Sequence, residues 1–106
     1  MILHALAAAS LLGMITAPVP KALLGTWVHG SCARPTEKLF ITRRTAKLGN
    51  ARPAAIVYTP SGDGGRGTIH WRAQFSADDF VYMPEHNHLL HNNYPEQVVF
   101  GRCSTF

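Results

Sequence analysis

Charged residues and cysteines are both scarce in this chain. Its 106 residues include ten Lys and Arg, six Asp and Glu, and two Cys. Two cysteines exclude a framework of several disulfides, and neither belongs to a Cys-x-x-Cys pair of the kind that binds zinc or performs redox chemistry. The basic residues are scattered, with Arg43-Arg44 as the sole adjacent pair. Because nucleic-acid binders concentrate basic charge on one face, we expect no nucleic-acid partner.

The first 17 residues contain no Asp, Glu, Lys or Arg. Within them, Ala5–Ile15 is an apolar run of signal-peptide length, shorter than the roughly 20 residues that a membrane span requires. Small residues follow, so cleavage is expected after Ala17 or Ala22. The sequence predicts a signal peptide over residues 1–22 and a periplasmic or secreted mature chain with no stable membrane span. A short buried N-terminal helix and an uncleaved anchor are the alternatives.

Cys32 and Cys103 lie near the two ends of the predicted mature domain, residues 23–106, and are 71 residues apart. Disulfides persist in the oxidising surroundings of exported proteins, and two cysteines allow one intramolecular pairing. Closing a loop of this length stabilises a fold by roughly 4 kcal/mol in the chain-entropy account. A domain this small has a limited core, so the predicted bond contributes a large share of its stability.

The mature part reads as short strands separated by turns, and no segment after residue 22 shows a helical period over ten residues. The clearest strand alternates Ile69, Trp71, Ala73 and Phe75 with polar residues, and the glycine-rich Pro60–Gly65 before it indicates a turn. Further strands are expected at Leu24–Ser31, Lys38–Arg43, Ala54–Thr59, Phe80–Met83, His88–His91 and Gln97–Cys103, with breaks that include Leu48-Gly49-Asn50. The prediction is one all-β domain, a small antiparallel barrel of about seven to eight strands, expected to be a monomer.

Leu24-Gly25-Thr26-Trp27 has the Gly-x-Trp form found on the first strand of lipocalins, avidins and other calycin barrels. In that superfamily an Arg from the last strand packs across the Trp, and Arg102 lies on the last predicted strand. The chain therefore resembles a small calycin, and it is similar in size to the bacterial periplasmic serralysin inhibitors, which carry one disulfide. The resemblance implies Gly25, Trp27 and Arg102 as barrel-closing residues. It also implies a binding role without catalysis, toward a small apolar ligand or a protein partner such as a hydrolase.

In serralysin inhibitors a free N-terminal arm enters the protease cleft, and here residues 18–24 would have to serve. That segment is short for the purpose, so residues 60–67 are the alternative inhibitory loop. In a binding barrel, by contrast, the candidate ligand contacts are Trp71 and Tyr82, because eight strands leave room for one small ligand.

The first strand has to satisfy two predicted contacts. One is the disulfide at Cys32, and the other is the contact between Trp27 and Arg102. Cys32 is five residues beyond Trp27, roughly 16 Å along an extended strand, whereas Cys103 is adjacent to Arg102. Both contacts form only if the chain bends after Trp27, and Gly30 is the residue expected to allow that bend.

His86, His88 and His91 lie within six residues. Two imidazoles on one strand face bind zinc or copper, so a periplasmic metal-binding module is the alternative function. The simpler interpretation is a polar hairpin whose exposed positions are histidines, and no metal site is predicted. His29 and His70 fall on polar strand positions, where we expect them to be solvated.

No catalytic motif is present. The serines lack a Gly-x-Ser-x-Gly context, and the glycine-rich turn lacks the Gly-Lys-Ser/Thr of a phosphate loop. Asp78-Asp79 are adjacent in a turn and face opposite ways, so they do not form a paired-carboxylate site. We therefore expect neither enzymatic activity nor a cofactor.

Overall fold

Eight antiparallel strands form a closed barrel in which each strand pairs with the next and β8 returns to β1. The computed structural model describes residues 16–62, 64–73, 78–93 and 96–103. The strands are β1 (Gly25–Gly30), β2 (Pro35–Ile41), β3 (Thr45–Leu48), β4 (Ala54–Pro60), β5 (Gly67–Trp71), β6 (Phe80–Met83), β7 (His88–Asn93) and β8 (Glu96–Gly101). The prediction of an all-β domain with a small antiparallel barrel is confirmed.

The side chains that point inward from each strand fill the barrel interior. Ile69 on β5 and Leu89 on β7 are buried, and their neighbours along each strand point outward because strand side chains alternate between faces. The largest fully buried side chains are Trp27, Phe80, Phe100, Leu23, Leu39, Ile41, Ile69 and Leu89. Aromatic rings therefore occupy the centre, as expected for an eight-stranded barrel that is narrow enough to be filled by side chains.

Strand β3 was not predicted from the sequence. The pattern predicted a break at Leu48-Gly49-Asn50 and no strand before it, whereas Thr45–Leu48 pairs with both β2 and β4. This strand has four residues, and Ala46 is its one fully buried side chain, so the apolar signal is weak. Pairing with two stronger neighbours determines its conformation.

The meander topology gives the barrel two different ends. Strands β1, β3, β5 and β7 all end on the same side of the barrel, which we call the mouth. The loops after β2, β4 and β6 share the other end with the segment before β1, which we call the closed end. Because consecutive strands run antiparallel, residues that are distant in the sequence meet at each end.

Residues 16–24 cover the closed end. Ala17 pairs with Tyr58, its backbone N–H donating to the Tyr58 carbonyl at 3.0 Å. Val19 and Leu23 are buried in the core, and a 3-10 turn spans Lys21–Leu23. The part of the segment that the structure describes thus packs against its own barrel.

Gly30 provides the bend that the first strand requires. Its φ is +94°, and the register of β1 on β2 shifts between His29 and Gly30. A Cβ at this position would lie 2.8 Å from Thr36 Oγ1 and 2.9 Å from the Thr36 backbone nitrogen. Glycine is therefore required both for the left-handed backbone and for the close approach of β2.

Both contacts of the first strand form in the same structure. Cys32 and Cys103 are disulfide-bonded with their Cα atoms 5.8 Å apart, which confirms the predicted pairing. The Arg102 guanidinium lies 4.2 Å from the centroid of the Trp27 ring. The bend at Gly30 thus carries Cys32 back toward β8 while Trp27 stays at the closed end.

Candidate functional site

The mouth contains a cavity of about 350 Å³. This volume is at the lower end of the range for small-molecule sites, so the cavity suits one small ligand. Its lining combines small apolar side chains, one indole, one imidazole and three charged groups: Leu48, Ala51, Ala54, Ala73, Trp71, His91, Arg52, Glu37 and Asp78. The closed end is plugged by Leu23 and Val19, so the barrel is open to ligand at one end.

His91 is the buried polar group of this cavity. Its side chain is 5% exposed, and its ring stacks on Phe80 with centroids 4.2 Å apart and planes 8° apart. Within the part of the chain that the structure describes, its Nε2 atom has no hydrogen-bond partner. Burial lowers the pKa of His91 below its ordinary value, while the carboxylates of Asp78 and Glu37 act in the opposite direction. The imidazole is therefore neutral near pH 7, and its buried Nε2 atom has no hydrogen-bond partner among the described residues.

Two carboxylates and one guanidinium stand at the cavity rim. Glu37 lies on β2, Arg52 in the β3–β4 loop and Asp78 just before β6. In the described ranges neither carboxylate forms an ion pair with a Lys or Arg. Asp78 has a φ of +55°, a left-handed conformation that is uncommon outside glycine and is tolerated best by Asp and Asn. The strained backbone places this carboxylate at the mouth.

The two predicted ligand contacts occupy different positions. Trp71, at the end of β5, lines the mouth cavity and packs edge-on against Phe80, with ring centroids 5.9 Å apart. Tyr82 is buried deeper and packs edge-on against Trp27, with ring centroids 6.1 Å apart. Tyr82 therefore belongs to the closed half of the barrel and not to the cavity.

The barrel-closing residues meet at the closed end. Arg102 donates to the carbonyl oxygens of Ala22, Leu24 and Thr26 at 2.7, 2.6 and 3.1 Å. The Trp27 indole N–H donates to the Leu23 carbonyl at 3.0 Å. The guanidinium and the indole thus tie the segment before β1 to the last strand.

The three clustered histidines do not converge, because His88 and His91 lie on opposite faces of β7. His86 and His88 are exposed, with ring centroids 6.0 Å apart, whereas His91 faces the barrel interior. Residues three apart on a strand lie on opposite faces, so His91 does not share a site with His88. Among the described residues, no group of three His, Cys, Asp or Glu side chains is placed to hold a metal ion.

The expectation that His70 is solvated is wrong. His70 is 5% exposed on the outer wall of the barrel. Its Nε2 atom lies 2.8 Å from Thr59 Oγ1, and its Nδ1 atom lies 3.1 Å from Asp79 Oδ2. These partners offset the cost of burying the imidazole. His29 is half-buried, and its Nδ1 atom lies 3.0 Å from the Val99 carbonyl oxygen.

Asp78 and Asp79 serve different sites, as their opposite orientation in the turn predicted. Asp78 contributes to the cavity, and Asp79 pairs with His70. The sequence analysis did not identify Glu37, Arg52 or Asp78 as site residues. Their only signal would have been their positions at strand ends that a closed barrel brings together.

A wider groove of about 610 Å³ lies on the outer wall, beside the segment that precedes β1. Three guanidinium groups contribute to it, those of Arg43, Arg44 and Arg72. One side of this groove is formed by residues 16–19, so its shape depends on that segment staying in place. The mouth cavity, in contrast, is built entirely by the strands and loops of the barrel.

Comparison with known proteins finds no matching family model, no matching curated protein and no matching solved structure. In the described residues, no helix is long and apolar enough to cross a membrane.

Proposed function

We propose that this protein is a small calycin-like barrel that binds one small, largely apolar ligand in its mouth cavity without catalysing a reaction. The observation that carries the proposal is the cavity itself, open at one end of a barrel whose other end is plugged. Trp71 and Leu48 supply apolar contact, and the Nε2 atom of His91 supplies one polar contact. Small-molecule sites typically have this composition, an apolar lining with few convergent polar groups.

The calycin relationship rests on the geometry of the closed end. Gly25 has a φ of +104°, and a Cβ there would lie 3.1 Å from Arg102 Nη1. Trp27 is fully buried beneath the Arg102 guanidinium. These contacts, within a closed eight-stranded meander, support the roles that the Gly-x-Trp and Arg pattern implies for the three residues.

Inhibition of a hydrolase is the less favoured function. An inhibitory N-terminal arm has to extend away from the barrel, whereas Ala17, Val19 and Leu23 pack against it. The alternative inhibitory loop is residues 60–67. Its Arg66 is already engaged in an ion pair with Glu85, so this guanidinium is not available to a protease.

Two matched variants test ligand binding. Ala54 lines the cavity, and its neighbour Ala55 points away from it on the same strand. We expect 2-phenylethanol to bind the wild-type protein and Ala55→Phe with similar affinity in calorimetric titrations. Ala54→Phe fills the cavity and should weaken binding at least tenfold while the far-ultraviolet circular dichroism stays unchanged. Equal affinity for both variants, or no binding by the wild type, would refute the proposal.

We further propose that the protein is exported and that cleavage follows Ala17 and not Ala22. The disulfide supports an oxidising compartment. Cleavage after Ala22 would remove Val19 from the core and the Ala22 carbonyl that accepts from Arg102. The intact mass of protein isolated from the periplasm or medium of an expressing bacterium should correspond to a chain that begins at Pro18. A mass that starts at Leu23 would contradict this choice of site, and a full-length chain would contradict export.

A further inference from the structure

Most of the polar and aromatic side chains that line the mouth cavity attract positive charge or accept hydrogen bonds. Glu37 and Asp78 are carboxylates without a Lys or Arg partner in the described ranges. His91 lines the cavity, and its buried Nε2 atom has no hydrogen-bond partner in the part of the chain that the structure describes. Trp71 presents an indole, the aromatic side chain that cations prefer.

We infer that the ligand of the mouth cavity is a small aromatic or aliphatic amine, bound as its ammonium cation with the apolar body inside and the charge at the rim. This inference rests on the proposed binding function and specifies its ligand. The two carboxylates outnumber the single guanidinium of Arg52, which is exposed in its loop. The cavity entrance therefore has a net negative charge.

His91 contributes a second, independent argument for such a ligand. A buried polar atom without a partner costs free energy, so nearly all such atoms in folded proteins find one. With the proton on Nδ1, Nε2 is a hydrogen-bond acceptor, and a ligand N–H group that reaches this atom would supply the missing partner. An ammonium or amine N–H is suited to that acceptor and to the two carboxylates, whereas a carboxylate ligand is repelled by them.

The volume of the cavity limits the apolar body of the ligand. At about 350 Å³, the cavity suits a single ring with a short side chain and not a long acyl chain.

Three probes of nearly identical shape separate charge from apolar contact: phenethylamine, 2-phenylethanol and 3-phenylpropionate. Titrated into the oxidised protein at about pH 7.5, where the amine is cationic, phenethylamine should bind about tenfold more tightly than 2-phenylethanol. 3-Phenylpropionate should bind most weakly. The preference for phenethylamine should shrink as salt is added, because both carboxylates are near solvent.

The carboxylates are tested by Glu37→Gln combined with Asp78→Asn, in which Asn tolerates the left-handed backbone at residue 78. This variant should bind phenethylamine and 2-phenylethanol with affinities within twofold of each other. Glu96→Gln is the matched control, because Glu96 is an exposed carboxylate at the same end of the barrel but outside the cavity lining. The control should keep the tenfold preference.

The possible results distinguish this inference from the function on which it rests. If the wild-type protein binds 2-phenylethanol as tightly as phenethylamine, the cavity is a binding site but the amine inference is wrong. If the preference persists in the double carboxylate variant, another group selects the cation and the assignment to Glu37 and Asp78 is wrong. If none of the three probes binds, the proposed function fails and the inference fails with it.

Discussion

Gly67 shows how closely the barrel interior is packed around one aromatic ring. A Cβ built on Gly67 would lie 2.1 Å from the Tyr58 hydroxyl oxygen and 2.3 Å from Cζ of the same ring. Tyr58 is buried, and burial raises the pKa of its hydroxyl. The ring therefore fills the space that a side chain at residue 67 would need.

Gly67→Ala should destabilise the protein by about 3 kcal/mol, because overpacking a filled core forces the ring or the strand to move. Gly101→Ala is the control. Its Cβ would meet its nearest neighbour, His88, at an ordinary 3.7 Å, and we expect a loss below about 1 kcal/mol. Urea unfolding measures the loss of stability in both variants. Equal losses would show that the contact with Tyr58 is not the reason why residue 67 is a glycine.

His91 should make stability depend on pH. Burial lowers its pKa in the folded state, so below about pH 6.5 the unfolded chain takes up a proton that the folded chain resists. The free energy of unfolding should therefore fall as the pH drops from about 7 to about 5. The charged groups facing His91 are Glu37, Asp78 and Arg52 at the mouth.

His91→Phe should flatten the dependence of stability on pH in that range, since it removes the titrating group and keeps the stack on Phe80. His88→Phe, at an exposed position of the same strand, should leave the dependence unchanged. Urea unfolding across this range compares the three proteins. If His91→Phe retains the wild-type slope, His91 is not the group responsible.

At the scale of the strand, alternation and turn residues were sufficient to predict most elements. The alternation of Ile69, Trp71, Ala73 and Phe75 with polar residues predicted β5, and one glycine-rich turn separated it from β4. The strand ends at Trp71, however, with Ala73 in the turn that follows and Phe75 outside the described residues. Burial of His70 could not be predicted in this way, because its partners Thr59 and Asp79 come from a neighbouring strand and from the turn before β6. The pattern of polar residues along a strand indicates which side chains face outward. It does not indicate which of those side chains are buried by other segments of the chain.

Arg102 joins β8 to the segment before β1. It stacks on Trp27 and donates to three backbone carbonyls. Burial lowers the pKa of its guanidinium, yet arginine keeps its charge at neutral pH.

Arg102→Lys should lower stability by about 2 kcal/mol, because an ammonium group does not reproduce both the planar stack and the three directed hydrogen bonds. Thermal unfolding followed by circular dichroism measures the loss. Lys47→Arg, an exchange at an exposed position on β3, is the control and should be neutral. An unchanged melting temperature for Arg102→Lys would mean that Trp27 and Leu23 close the barrel without the guanidinium.

At the scale of the whole molecule, barrel closure creates the candidate site. Glu37, Arg52, Asp78 and His91 are far apart in the sequence and meet because they lie on, or next to, strand ends that share the mouth. No local pattern in the sequence signals that meeting. The class of fold was predictable from strand spacing, whereas the site required knowledge of which strand ends coincide.

The disulfide adds a covalent link between the first and last strands, which also pair directly. It joins residues 71 apart and connects the end of β1 with the end of β8. Cys32→Ser combined with Cys103→Ser should lower the free energy of unfolding by about 4 kcal/mol, mainly because the unfolded chain gains conformational freedom. Guanidinium denaturation of the variant and the oxidised wild type measures the difference. A loss below about 1 kcal/mol would show that the paired strands alone hold the ends together.

If ligand enters the mouth and not the closed end, two indole N–H groups should report the difference, because one lies at each end. Trp71 lines the cavity, and the Trp27 indole N–H donates to the Leu23 carbonyl at the closed end. The proton NMR signals of both groups, assigned with Trp71→Phe, should be followed while 2-phenylethanol is added. We predict that the Trp71 signal shifts to saturation while the Trp27 signal stays in place. A shift confined to Trp27, or no shift of either signal, would contradict the account.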